Sequence, residues 1–135
     1  MTPEAIIAAA RSAIGTPFRH QGREVGKALD CAGLAIHVAA AVGADYQDSL
    51  GYAARPSGGL LEAALDAQAG LVRVFEVQPG DLLLMRFSGD PQHLALYAGD
   101  TIIHAFAAGR KVCEHRLDDV WRARIVRIYR FRGVS

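Results

Sequence analysis

The feature that most constrains this chain is a change of hydrophobic period near Leu71. Upstream, apolar residues recur at helical spacing: Ile6, Ile7, Ala10 and Ala13, then Leu34, Val38 and Ala41, then Leu60, Leu61, Ala64 and Leu65. Residues three and four apart share one helix face, so each set is a stripe that needs burial. Downstream the spacing is that of strands: a loose alternation of Val72, Val74 and Val77, then Asp81–Met85, His93–Ala98, Thr101–Phe106, Lys111–Leu117 and Ala123–Phe131. Helices first and antiparallel strands second imply an α+β fold. With 135 residues, 51 % of them hydrophobic, the chain is expected to form one domain, residues 1–135, with a substantial core.

Local signals place the elements. Thr2-Pro3-Glu4 is a helix start, with a hydroxyl cap, proline first and an acid in the first turn. Gly15-Thr16-Pro17 stops that helix, and Phe18 to Leu29, polar and bearing Gly22 and Gly26, reads as a loop. Asp30 opens the second helix and Gly43 ends it; Ala44 to Ala69 is a connector containing the loop Ala54–Gly59. Pro79-Gly80 is a turn, Ser88 to Gln92 a loop, and Asp118-Asp119 a further turn.

Charge and composition exclude several classes. The formal net charge is +1 and no basic stripe is dense enough for a nucleic-acid groove. The arginines from Arg122 to Arg132 interleave with Ile125, Val126, Ile128 and Tyr129, which reads as a final strand with solvated arginines. No apolar run approaches the roughly 18 residues that would span a bilayer. Met1 to Ile14 carries Glu4 and Arg11 in a short Ala-rich stretch, unlike a signal peptide. The expectation is a chain that is made and folds in the cytoplasm, or leaves it by a route other than standard secretion. Two cysteines, Cys31 and Cys113, are too few for a disulfide framework.

Cys31 follows the N-cap Asp30 directly. A thiol there feels the positive end of the helix dipole and faces unpaired backbone N–H groups. Both favour the thiolate, the nucleophilic form, and the same N–H groups can hold an oxyanion. Asp30 opposes this through its own negative charge. Position alone does not separate a reactive thiol from a small buried cysteine.

The hairpin supplies a second argument. If Gly99-Asp100 is a two-residue loop, His93 faces Phe106 and Ala95 faces His104. His93, Ala95, Tyr97, His104 and Phe106 then share one sheet face, and Leu94, Leu96 and Ile103 share the other. His93 and His104 become diagonal neighbours, with Ala95 leaving room for a ring. A base whose second nitrogen is held by another polar group is the arrangement of a catalytic triad. A three-residue loop would instead put the histidines on opposite faces. His37 lies six residues past Cys31, too far around the helix to reach the thiol. Cys113 and His115 share a strand face, but the spacings show no set of three or four convergent ligands, so neither metal nor cofactor is expected.

Several segments, in order, resemble one family. They are Gly15-Thr16-Pro17-Phe18-Arg19-His20, Asp30-Cys31-Ala32-Gly33-Leu34, Pro79-Gly80-Asp81-Leu82-Leu83, Gln92-His93-Leu94-Ala95-Leu96-Tyr97, and Ile102-Ile103-His104-Ala105. Together they are similar to the NlpC/P60 family of papain-like cell-wall cysteine peptidases, over about residues 5–131. Within it, Pro17–Gln21 and Tyr52 through Arg55-Pro56-Ser57-Gly58-Gly59-Leu60-Leu61 resemble the group encoded with phage and gene-transfer-agent tails. The resemblance implies a papain-like α+β fold, with the nucleophile at a helix start packed on the sheet. It implies Cys31 as nucleophile, His93 as base and His104 as the residue orienting that base. It also implies a peptidoglycan stem peptide as substrate, typically cut between D-γ-glutamyl and diaminopimelate, and tail-tip proteins as partners. Two positions depart from the pattern. Phe18 stands where tyrosine is frequent, leaving the oxyanion site to the Cys31 N–H and a side chain such as His20 or Gln21. Ala32 replaces the usual serine beside Asp30 and Cys31, which bears on the substrate's amine end. A tail-assembly module with little activity, and a thiol amidase or acyltransferase on another acyl group, are the competing readings.

Overall fold

The computed structural model describes residues 1–49, 52–54 and 57–135. Arg55 and Pro56, within the expected loop Ala54–Gly59, lie outside the described residues. The first helix, α1, spans Pro3–Arg11, capped by the Thr2 hydroxyl accepting from the Ala5 N–H, and it buries Ile6 and Ala10. Two short strands follow, β1 (Arg23–Glu24) and β2 (Ala28–Leu29), paired antiparallel. Helix α2 runs Cys31–Val42 and stops at Gly43, whose φ of 74° lies in the left-handed region that glycine adopts without strain. Helix α3 spans Leu60–Asp66. Then come β3 (Leu71–Val74), β4 (Leu82–Met85), β5 (His93–Tyr97), β6 (Thr101–Phe106), β7 (Lys111–Arg116), the one-turn helix α4 (Asp119–Arg122) and β8 (Ile125–Phe131). No helix among the described residues is long and apolar enough to cross a membrane.

The last six strands form one antiparallel sheet in the order β3-β8-β4-β5-β6-β7. Its two faces carry different cores. Leu82, Leu84, Leu94, Leu96, Ile103 and Ala105 pack with Ile6, Ala10, Leu34 and Val38 of α1 and α2. On the opposite face Leu83, Met85, Ala95, Ile102 and Leu117 form a smaller cluster, with Trp121, Ile125 and Ile128 against it. The continuous apolar run Leu82–Met85 is thus explained, since both of its faces are covered.

Three readings of local structure need correction. Phe18–Leu29 is more than a loop: Arg23 pairs with Leu29 and Glu24 with Ala28. Asp118-Asp119 is a helix start, with the Asp118 carboxylate accepting from the Trp121 N–H at 2.9 Å, so β8 begins at Ile125 rather than Ala123. Several arginines of the last segment are engaged rather than simply solvated. Arg130 holds the buried Asp81 at 2.8 Å, Arg127 reaches Asp66 at 3.0 Å, and the Arg124 guanidinium lies 4.4 Å from the Trp121 ring centre.

The β1–β2 segment crosses the start of α2 closely. A methyl group at Gly33 would lie 2.1 Å from the Gly22 carbonyl oxygen, which itself accepts from Arg23 Nη1 at 2.9 Å. Gly33→Ala is therefore expected to push this segment off the helix and to destabilise the fold by about 1–3 kcal/mol. A lowered midpoint in urea unfolding would show it; an unchanged midpoint would contradict the close crossing.

Candidate active site

Asp30 organises the approach to α2. Its Oδ1 accepts from the Gly33 N–H at 2.8 Å and from Arg23 Nη1 at 2.9 Å. Its Oδ2 accepts from the Gln21 N–H at 2.8 Å and from the Tyr52 hydroxyl. A carboxylate with four donors is a structural anchor: it ties β1, the connector and the helix start together. The Gln21 N–H is presented by a left-handed backbone, φ 61°. Burial and the Asp30 carboxylate together hold the Tyr52 phenol well above its ordinary range.

Cys31 is the first residue of α2 and half-buried. Burial, and then the Asp30 charge, push its thiol up to about 11, while the backbone N–H groups of Leu94, Ala32 and Cys31 pull the other way. Desolvation wins over the helix terminus, so the resting sulfur carries its proton. A cavity of about 760 Å³ opens over it. Phe18, His20, Asp30, Cys31, Ala32, Gln92, His93 and Leu94 line this cavity near the thiol. Ile36, Leu61, Leu65 and Phe131 add apolar lining to it.

The hairpin has the two-residue loop: the Ala98 N–H donates to the Thr101 carbonyl at 2.8 Å, and Leu96 pairs with Ile103. His93 and His104 consequently share a face, both buried, with His93 Nε2 2.6 Å from His104 Nδ1. That face is turned away from α1 and α2, so Cys31 does not simply sit above it. Because His93 is the first residue of β5, it lies at the strand's end and shares the cavity with Cys31 there. The bond to His104 uses Nε2 and leaves Nδ1 outside that contact.

Of the remaining candidates, Phe18, His20 and Ala32 line the cavity; Gln21 does not. The Gln21 side-chain amide donates to the Tyr52 carbonyl at 3.1 Å, and His20 Nε2 meets the same oxygen at 2.9 Å. These contacts tie one nitrogen of each side chain to the connector.

The sequence reading missed His115. His104 Nε2 lies 2.8 Å from His115 Nε2, and His115 Nδ1 lies 3.0 Å from the Arg116 carbonyl. The signal was available in the next hairpin, where β6–β7 pairing sets His104 opposite Cys113 and Ile102 opposite His115. His104, Cys113 and His115 also offer three potential metal-ligand atoms within 4.8 Å of one another, a grouping the spacings had not shown. A hydrogen bond of 2.8 Å already joins His104 Nε2 to His115 Nε2. Trp121 closes the cluster, with its ring centre 5.0 Å from both the His104 and His115 rings, and Phe106 stacks on His104 at 5.0 Å.

Burial, with Arg124 adding to it, holds His93 down at about 4. Burial, with His93 and His115 adding to it, holds His104 down at about 3. In the unfolded chain both return to about 6.5. Below that pH the unfolded chain takes up protons that the folded chain refuses. Stability is therefore full above about pH 6.5 and falls as the pH drops toward 4, by about 3 kcal/mol for His93 alone. Urea midpoints at pH 7 and 4.5 measure this, and equal midpoints would contradict neutral buried histidines.

A sequence model of the NlpC/P60 family matches residues 15–130, which includes Cys31 and all three clustered histidines. The solved NlpC/p60 domain of the peptidoglycan hydrolase SagA is 25 % identical, covers 95 % of this chain and 97 % of that one, and superposes with a TM-score of 0.66. An NlpC/P60 family protein of Bacillus cereus shares the fold at a TM-score of 0.71 and 20 % identity, over 97 % of this chain and 40 % of that one. A protein of Corynebacterium glutamicum named as a probable endopeptidase is 30 % identical over 118 residues, which is 87 % of this chain and 49 % of that protein. The chain thus spans about half the length of the curated relatives it matches. With the match running from before β1 to near the end of β8, the helix-borne cysteine and the histidine-bearing hairpin lie within one shared pattern, and the chain belongs to the NlpC/P60 family.

Proposed function

We propose that the chain is a cysteine endopeptidase acting on peptidoglycan stem peptides, with Cys31 as nucleophile and His93 as base. The observation that carries this reading is the buried 2.6 Å bond from His93 to His104, at the edge of a cavity that also holds Cys31. As the thiol attacks the scissile carbonyl, His93 Nδ1 takes its proton and the C–S bond forms. The backbone N–H groups at the start of α2 receive the oxyanion. The amine leaves with the proton from His93, and a thioester remains on Cys31. Water then attacks with His93 again as base, releasing a carboxylate and restoring the thiol. Starting from a neutral thiol and a neutral imidazole, the pair separates charge only as the reaction proceeds.

The bond proposed is that between D-γ-glutamyl and diaminopimelate. A phage or phage-like tail, with tail-tip proteins as partners, is the proposed vehicle to the cell wall. Its support is the resemblance of Pro17–Gln21 and of the Tyr52–Leu61 segment to tail-associated relatives. The apolar cavity lining of Ile36, Leu61, Leu65 and Phe131 favours a second reading, a thiol amidase or acyltransferase on a more apolar acyl group. Mass spectrometry of purified peptidoglycan after digestion separates them. The first reading expects new stem-peptide termini that are absent with Cys31→Ala. Unchanged muropeptides, or termini that persist with Cys31→Ala, would contradict it.

A further inference from the structure

We propose that His115 is a positioning residue: it fixes which nitrogen of His93 carries the proton, acting through His104. The inference rests on the reading of His93 as base, and follows from the direction of three hydrogen bonds. A carbonyl oxygen only accepts, so the contact of His115 Nδ1 with the Arg116 carbonyl at 3.0 Å places a proton on Nδ1. The Nε2 of a neutral His115 is then an acceptor. Across 2.8 Å it faces His104 Nε2, which must donate. His104, neutral through its burial, is left with an acceptor at Nδ1. Across 2.6 Å that atom faces His93 Nε2, which must donate in turn. A neutral His93 thus carries its proton on Nε2, and Nδ1 has the lone pair needed to take the thiol proton. One backbone carbonyl on β7 sets the protonation pattern of a ring two histidines away.

The surroundings suit this role. His115 lies on β7 two residues from Cys113, the residue opposite His104, so the two strands hold the rings in register. Trp121 packs against His104, Phe106 and His115 at ring-centre distances of 5.0–5.2 Å, limiting ring rotation. Without an acceptor at His115, the His104 Nε2–H would be a buried donor without its partner. His104 could recover by moving its proton to Nδ1, and His93 would then have to accept at Nε2 and carry its proton on Nδ1, the wrong nitrogen for a base.

The test compares two replacements. His115→Gln can offer its Oε1 to His104, whereas His115→Phe keeps a ring against Trp121 but has no acceptor. With peptidoglycan as substrate, Phe is expected to lower kcat about 10- to 100-fold with KM little changed, and Gln to restore most of the loss. A packing role would make both variants fall in step with their stability, which would overturn the proposal, as would an unchanged kcat for Phe. Nitrogen-15 NMR of the imidazoles reads the same device without substrate. The wild-type protein should show Nε2–H on both His93 and His104, and Phe should abolish that single pattern. His104 protonated at Nδ1 in the wild type, as a metal ion on Nε2 would also require, would overturn the proposal. Correct tautomers together with no peptidoglycan cleavage would instead count against the peptidase reading while leaving the histidine chain intact.

Discussion

Cys31→Ala is expected to lower kcat/KM on peptidoglycan by about 10⁴-fold or more, because removing a nucleophile removes the covalent route altogether. The fold should survive. Cys31 is half-buried at the helix start, and the cap is made by the Asp30 carboxylate and the Gly33 N–H, neither of which involves the thiol. Circular dichroism and the urea midpoint should thus match the wild type while activity disappears. A variant that keeps a tenth of the activity would show that the sulfur is not the attacking atom.

His93→Gln is the second large effect, expected to cost about 10²–10⁴-fold in kcat, the range for losing a general acid–base group. Glutamine keeps a polar group near His104 but cannot take a proton from the thiol. Unlike the cysteine variant, it should also change stability with pH. His93 contributes to the loss of stability between about pH 6.5 and 4, because burial keeps it neutral in the fold. Its removal should make that slope shallower. A kcat reduced less than tenfold would assign the base elsewhere.

Much of this was legible before any coordinates because it depended on local rules. The two-residue loop at Gly99-Asp100 fixes parity, and parity alone puts His93 and His104 on one face. The Asp30 cap follows from residue type, and the observed Gly33 bond is the cap's ordinary geometry. What was not legible depended on tertiary partners. β1 and β2 are two residues each, too short to show a period, and they form where Arg23 and the Gly22 carbonyl press against α2. Asp30 looked like a simple cap with an unfavourable charge near the thiol. Its further bonds to Arg23, Gln21 and Tyr52 come from segments 7 to 22 residues away in sequence. His115 looked isolated because it was read only along its own strand. Extending the parity argument through Ala107–Arg110 to the β6–β7 pairs would have brought it beside His104. The side of the sheet that the helices cover was also not predictable from alternation, and this is why Cys31 and His93 share a cavity at the end of β5 rather than a sheet face.

The proposed mechanism turns on acylation of Cys31 itself. An activated ester of a γ-D-glutamyl stem-peptide fragment should acylate the enzyme faster than water releases it. A burst of leaving group equal to the enzyme concentration is expected, and after acid quenching a thioester of the acyl fragment mapped to Cys31. A burst that persists in Cys31→Ala, or an acyl group carried on any other residue, would contradict it.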